Sequence, residues 1–203
     1  MKRVAGLILA AGKSERMGSP KPLLQIRGKS FLEHIVAQAR RSNLSELRIV
    51  LGHQADKVLR TLPQLQSEVI INPDYDQGQL SSLIKGLQAV EKSSAEGVML
   101  FLVDHPFVTS ELINSLLQQF SRQPLPIVIP TFHRRRGHPM IFGRQLFAEL
   151  VKAPLDLGAA VVVRRHQPEI LHVEIEDESI LIDIDTPKAY QEYVVERGMA
   201  NAP

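Results

Sequence analysis

Apolar residues along the chain come in short runs separated by amphipathic stretches. Val4 to Leu9 is a continuous apolar run ending in Ala10-Ala11-Gly12, the pattern of a central parallel strand followed by a loop. Ser30-Phe31-Leu32-Glu33 has capping-box spacing, and the helix it opens is expected to reach about Arg41. Leu47 to Leu51 reads as a second strand. A helix from Gln54 to Leu62 follows, ended by Pro63. Glu68 to Ile71 is a third strand, stopped by Asn72-Pro73. Leu80 to Val90 is helical, and Val98 to Val103 is a fourth strand running directly onto Asp104.

In the second half, Thr109 or Ser110 caps a helix with Glu111 in its first turn, where a carboxylate favours the positive end of the macrodipole. Ile127 to Ile129 and Pro139 to Phe142 are short strands; Gln145 to Lys152 and Ala159 to Arg165 are helices. Leu171 to Glu176 alternates at period two, as a half-exposed strand does. Glu176-Asp177-Glu178-Ser179 is read as its turn, and Ile180 to Ile184 as the returning strand of a late β-hairpin. Thr186-Pro187 is an N-cap and N1 pair for a last helix to about Arg197, and the tail through Pro203 is expected to fray. No repeat or linker interrupts the alternation, so the expectation is one domain over residues 1–203. Its predicted class is α/β: a three-layer α/β/α, Rossmann-like arrangement around a mixed, mostly parallel sheet. Ligands of such sheets bind beyond the carboxyl ends of the strands, which directs attention to the segments after Leu9, Ile71, Val103 and Ile184.

Composition narrows the chemistry. The 203 residues are 44% apolar and 23% charged, with a formal charge of only +2 and no cysteine. A global basic surface for nucleic acid is not indicated, and disulfides, thiolate catalysis and Cys-ligated zinc are excluded. The apolar start is too short for a signal peptide core and is followed at once by Lys13, Glu15 and Arg16. No run approaches the roughly 20 residues needed to span a bilayer, and a soluble cytoplasmic monomer is the expectation.

The segment from Leu9 to Lys21 is rich in small residues, which let backbone N–H groups approach an anion, and Lys13, Arg16 and Lys21 can neutralise a triphosphate. It is not a P-loop: the glycine required four residues before Gly12-Lys13 would fall on Leu7. The pattern present is Leu-Ala-Ala-Gly-x-x-x-Arg-Met-Gly-x-x-Lys. With it, in order, come Gly78-Gln79-Leu80-Ser81-Ser82-Leu83, Asp104-His105-Pro106, Gly137-His138-Pro139 and Asp183-Ile184-Asp185-Thr186-Pro187. In these blocks the sequence resembles the MobA-like nucleotidyltransferases of GT-A-like fold, molybdenum cofactor cytidylyltransferases in particular, and the resemblance extends through almost the whole chain. It implies that Leu9, Ala10, Ala11 and Gly12 surround base and phosphates, that Arg16 and Lys21 hold the triphosphate, and that Asp104 and Asp185 ligate Mg²⁺.

Independently of that resemblance, carboxylates at two strand ends suit Mg²⁺, which prefers oxygen ligands. Asp183 is the alternative to Asp185, being on the same strand face by alternation. Gln79, Ser81 and Ser82 are candidates for base or ribose contacts, and Arg16, Lys21 and Asp104 for the catalytic roles. His133-Arg134-Arg135-Arg136-Gly137-His138 and Arg164-Arg165-His166 are the densest positive clusters; Arg136 and His138 are the candidates for an anionic phosphorylated acceptor. Ala10-Ala11-Gly12 is typical of the cytidylyl enzymes, where guanylyl relatives carry Leu-Ala-Gly-Gly, so CTP is favoured as the NTP. The resemblance also implies a molybdenum enzyme as recipient of the product. The departure falls at Asp156-Leu157-Gly158-Ala159-Ala160, where the cytidylyltransferases show Gly-Asp-x-Gly-Ala-Arg; this puts the acceptor's identity in doubt. GTP or a sugar phosphate are alternative substrates. A non-catalytic nucleotide-binding protein is the alternative of another class, though it would need no metal pair.

Overall fold

The computed structural model describes residues 1–196. In chain order the elements are β1 (Val4–Ala10), β2 (Gln25–Ile26), β3 (Lys29–Ser30), α1 (Phe31–Arg41), β4 (Glu46–Leu51), α2 (Ala55–Thr61), β5 (Val69–Ile71) and α3 (Gln79–Val90). Then come β6 (Gly97–Leu102), α4 (Ser110–Arg122), β7 (Ile127–Phe132), β8 (Arg135–Arg136), β9 (Met140–Gly143), α5 (Phe147–Lys152), α6 (Ala160–Arg165), β10 (Ile170–Glu174) and α7 (Pro187–Tyr190), which runs into a π-helical turn, Gln191–Glu196. Arg197 and the tail through Pro203 lie outside the described residues.

The main sheet has the order β10-β7-β9-β6-β1-β4-β5, with β8 paired to β7. β1 is central because it is buried along its whole length, and it pairs in parallel with β4 and β6. β9 is antiparallel to both β6 and β7, so the sheet is mixed but mostly parallel, as expected. The side chains of β1 alternate between two cores. Val4, Ile8 and Ala10 join the layer of α1, α2 and α4; Ala5, Leu7 and Leu9 join that of α3, α5 and α6. This period-two division of one apolar strand is what makes three layers. α3 lies unusually close to the sheet at Gly86, where a Cβ would stand 2.4 Å from Leu7 Cδ1. A side chain there would push the helix, and the cleft residues at its N-terminus, off β1.

The late β-hairpin is corrected. β10 pairs in parallel with β7, and residues 180–184 form no strand. Glu178–Leu181 is a 3-10 turn. The alternation in the sequence is real, since Ile180, Ile182 and Ile184 are all buried, but burial rather than a ladder satisfies it. The backbone instead makes single hydrogen bonds to other loops: His138 N donates to Ile180 O (3.0 Å) and Ile184 N to Asp104 O (2.8 Å). A hairpin that the sequence did not signal joins β7 to β8 through His133 and Arg134, both at positive φ. Two such residues make the tight mirror-image turn that matches strand twist. Among the described residues no helix is long and apolar enough to cross a membrane.

The capping box at α1 is complete. Glu33 N donates to Ser30 Oγ (3.2 Å), and Ser30 N donates to Glu33 Oε2 (3.0 Å). Ser30→Ala is expected to lower stability by about 1 kcal/mol. Urea unfolding should show this as a lower midpoint with unchanged slope.

Candidate active site

The loop after β1 is shaped by its own backbone. Ser14 sits at φ 57, its carbonyl accepts from Met17 N and Gly18 N, and its Oγ accepts from Lys21 N at 3.2 Å. The chain therefore turns back so that Lys21, at the start of a 3-10 turn, points its side chain under the loop. A Cβ on Gly12 would meet nothing within 4 Å, so the backbone there opens on the cavity that it lines. His53 N donates to Ala11 O (3.0 Å), and a Cβ on Gly52 would collide with Tyr75 Cβ at 2.5 Å. Gly52 thus lets Tyr75 pack against the end of β1.

Lys21 is the centre of the site. Only 9% exposed, it reaches Asp104 Oδ2 at 2.9 Å and also donates to Asp185 Oδ1, while Arg16 donates to the other oxygen of Asp185. The two carboxylates come from distant segments, joined where Ile184 N donates to the carbonyl of Asp104. Burial opposes the charge on Lys21, but Asp104 and Asp185 outweigh it and hold the ammonium above its ordinary value. Burial also opposes ionisation of Asp185; hydrogen bonding and charge from Lys21, with Arg16, overcome it and keep the carboxyl below the usual range. One ammonium touching both carboxylates means that their oxygens lie within reach of a single cation. Two carboxylates with room for water and phosphate oxygens are a donor set that fits Mg²⁺. Asp183 is exposed, whereas Asp185 faces Lys21.

Two cavities meet at this group, and a third adjoins the first of them. The first, about 210 Å³, is lined by Leu9, Ala10, Ala11, Gly12, Lys21, Gln79, Ser82 and Asp104, together with Ser14 and Tyr75. The second, about 350 Å³, lies under Lys13, Arg16, Lys21 and Asp185. The third, about 790 Å³, shares Gly78 and Gln79 with the first and is walled by Arg136, His138, Met140, Leu155, Leu157, Ala160 and Arg164. All but one of the residues expected at the site line one of these spaces. The exception is Ser81, whose buried hydroxyl donates to Gly78 O (2.8 Å) and Asp74 O (2.9 Å) and accepts from Asn72 Nδ2. Asn72 Nδ2 also reaches Ser82 Oγ, so this buried amide fixes the start of α3 against β5.

The basic clusters divide. Arg136 and Arg164 face the third cavity, while Arg134 is at the exposed tip of the β7–β8 hairpin. His166 lies 2.7 Å from both Glu149 and Glu169 through its two ring nitrogens, which requires both to carry protons. Its hydrogen bonds to Glu149 and Glu169 accordingly raise its pKa. The rings of His105 and His138 pack with centroids 4.7 Å apart and planes tilted by 45°, each with a buried Nδ1 that has no hydrogen-bond partner. Burial pushes His138 down to about 4, with His105 adding to the effect; burial also lowers His105. Both rings are neutral at physiological pH, so His138 offers the third cavity a neutral imidazole rather than a charge. Tyr75, Ser14 and Asn72 are not legible as site residues: Tyr75 and Asn72 lie in the irregular stretch before α3, and what positions them is Gly52, 23 residues before Tyr75, and the serines at the start of α3.

The ion cluster has a pH signature. The contribution of Asp185 is present above its unfolded value of about 3.8 and is lost as pH falls through its lower folded value. That of Lys21 is present below 10.5 and is lost as pH rises through its higher folded value. Lys21→Met is therefore expected to destabilise most between these limits, by about 1–2 kcal/mol. That is less than for a fully buried pair, because both carboxylates keep some surface in water. Melting curves from acid to neutral pH should show the gap to wild type closing at the acid end.

The comparisons with known proteins fit this geometry. The model of the MobA-like NTP transferase domain matches residues 6–170. The nicotine blue oxidoreductase of Paenarthrobacter nicotinovorans is 30% identical over 194 residues, covering 90% of this chain and 92% of that protein. The molybdenum cofactor cytidylyltransferase of Escherichia coli K12 is 27% identical over 190 residues, covering 92% and 93%. Among solved structures, Rv0371c of Mycobacterium tuberculosis H37Rv superposes with a TM-score of 0.84 at 27% identity, covering 95% of this chain and 97% of that one. Its complex with manganese gives 0.79 at 26% identity, covering 96% and 100%. With its mixed sheet and family match in agreement, the chain belongs to the MobA-like NTP transferase domain family and is a nucleotidyltransferase of that family.

Proposed function

We propose that the protein transfers an NMP unit, from CTP in preference to other NTPs, to a small phosphorylated acceptor, molybdopterin first among them, in a Mg²⁺-dependent reaction. The observation that carries this reading is the single ammonium of Lys21 set between Asp104 and Asp185, where the cavity beside Ala10-Ala11-Gly12 meets the one under Arg16. The 210 Å³ space beside Ala10-Ala11-Gly12 suits the base and ribose, the space under Arg16 the phosphates, and the 790 Å³ space the acceptor.

In the reaction an acceptor phosphate oxygen attacks the α-phosphorus of the NTP, the bond to the bridging oxygen breaks, and pyrophosphate leaves. A phosphate acceptor is already ionised near neutral pH, so positioning and charge neutralisation carry most of the catalysis. Mg²⁺ on Asp104 and Asp185 would supply neutralisation of triphosphate charge. The manganese complex of Rv0371c supports a divalent metal for this family member. Lys21 and Arg16, resting on the carboxylates in the free protein, are the groups that turn to phosphate oxygens and stabilise the transition state. Arg136 and Arg164 would orient the acceptor's phosphate, with His138 as a neutral hydrogen-bonding group beside them.

A second reading keeps the chemistry and changes the acceptor. Ala160 lines the third cavity at the place where cytidylyltransferases carry an arginine, and Leu155 and Leu157 make that wall apolar. This favours a compound with an apolar face over one held by charge alone. GTP as donor or a sugar phosphate as acceptor belongs to this reading, and the product's delivery to a molybdenum enzyme holds only on the first.

Thermal shift with Mg²⁺ and each of the four NTPs tests the donor. A nucleotide at a hundred times its Kd adds about 2.7 kcal/mol, and CTP is expected to give the largest shift; GTP alone doing so would reassign the donor. Asp104→Ala is expected to keep the melting temperature within a few degrees while lowering turnover at least about a hundredfold. Turnover surviving that change would overturn the metal assignment.

A further inference from the structure

Three residues, Ser14, Lys21 and Tyr75, line both the cavity beside Ala10-Ala11-Gly12 and the one under Arg16. Ser14 and Lys21 belong to the loop after β1. Tyr75 comes from a separate segment, a 3-10 turn (Tyr75–Gln77) just before α3, and is half-buried. A nucleotide laid with its base and ribose in the first space and its phosphates in the second passes this phenol where the sugar joins the triphosphate.

Tyr75 is held from several sides. Its neighbour Asp74 donates its N–H to Asn72 Oδ1 (3.1 Å), and Asp74 O accepts from Ser81 Oγ (2.9 Å), so the backbone entering the turn is fixed by the network at the start of α3. The root of the side chain packs where Gly52 leaves room for it. Its ring lies 5.7 Å from that of His53, centroid to centroid, with the planes tilted by 58°. His53 also donates its backbone N–H to Ala11 O, and so ties Tyr75 to the end of β1. The direction of the phenol proton follows from the next residue along. Gln54 Nε2 lies 3.1 Å from His53 Nε2. An amide nitrogen only donates, so this ring nitrogen accepts and the ring's proton sits on Nδ1, 3.4 Å from the Tyr75 oxygen. The phenol oxygen accepts there, at the long end of the hydrogen-bonding range, and its own hydrogen is left for a partner in the cavities that it lines.

We propose that Tyr75 binds the sugar of the NTP, its hydroxyl donating to a ribose oxygen, and that His53 is the positioning residue that orients this hydroxyl. The inference rests on the reading of the cleft as an NTP site and deepens it, without depending on the base. A sugar is the partner that the chemistry favours. Phosphate oxygens in the adjoining space have Lys13, Arg16 and Lys21 beside them, and a neutral phenol adds little to three cations. A ribose hydroxyl, being neutral, is matched by another neutral hydroxyl. A side chain already fixed by Gly52, His53 and the turn loses little freedom when the ligand arrives. Holding the ribose also sets where the α-phosphorus lies relative to Lys21.

The test is isothermal titration calorimetry of the full chain with Mg²⁺, using CTP and GTP and the 2′-deoxy and 3′-deoxy forms of each. Wild type is expected to bind the ribonucleotide more tightly than at least one of its deoxy forms. Tyr75→Phe, which keeps the ring, should weaken ribonucleotide binding about three- to tenfold and abolish that preference. His53→Phe should weaken it less, and adding His53→Phe to Tyr75→Phe should change nothing further, because His53 acts through the hydroxyl. Tyr75→Phe binding the ribonucleotide as tightly as wild type, or keeping the full preference over the deoxy forms, would overturn the proposal and leave the NTP site standing. A double variant weaker than Tyr75→Phe alone would contradict the role given to His53. A wild type that binds neither nucleotide would overturn the reading of the cleft, and this proposal with it.

Discussion

The ammonium of Lys21 is the constraint on which the site depends. Two carboxylates from segments 81 residues apart in sequence, Asp104 and Asp185, converge at the end of the sheet, and like charges so placed repel unless a cation stands between them. Lys21 fills that place because Ser14 holds its backbone and the loop folds back over it. The loop, the β6 terminus and the segment before α7 are thus drawn together by one charge. The same requirement explains why the arrangement fits a divalent cation: the free protein already neutralises the pair with an ammonium and a guanidinium, and both of these can pass to phosphate oxygens.

Around this point the fold supplies rigidity. β1 is buried on both faces and ends at the loop that carries Arg16 and Lys21, while α3 starts beside it and is seated closely by Gly86. Asn72 ties β5 to α3 through two serines, so the wall carrying Gln79 and Ser82 is fixed by a buried hydrogen-bond network and not by packing alone. The larger cavity has a different character. Its wall from Leu155 to Ala160 is a loop and a short helix, held from behind by His166 between Glu149 and Glu169. It is in this less constrained region that the sequence departs from the cytidylyltransferase pattern, which is why the proposed acceptor site is placed there.

Much of the architecture could be read from the chain. β1, β4, β6 and α1 carry unambiguous apolar periods and caps, and the blocks at Leu9–Lys21, Asp104 and Asp185 pointed to the segments that converge. What failed was pairing. Ile180, Ile182 and Ile184 alternate as a strand does, but period two reports which side chains are buried, not which backbone is the partner. The roles of Ser81 and Tyr75 were hidden for a similar reason. A serine at a helix start can face ligand or backbone with equal chemistry, and Tyr75 is placed by a glycine 23 residues earlier. Likewise, Arg164, Arg165 and His166 form one cluster in sequence, but helical geometry turns Arg164 to the cavity and the other two to Glu149.

The most direct measurement of the central proposal is Mn²⁺ binding followed by electron paramagnetic resonance, with CTP present, in wild type and in Asp185→Asn. The expected result is nucleotide-dependent Mn²⁺ binding that Asp185→Asn weakens by roughly ten- to a hundredfold. Equal Mn²⁺ affinity in the two proteins would contradict a metal held between Asp104 and Asp185.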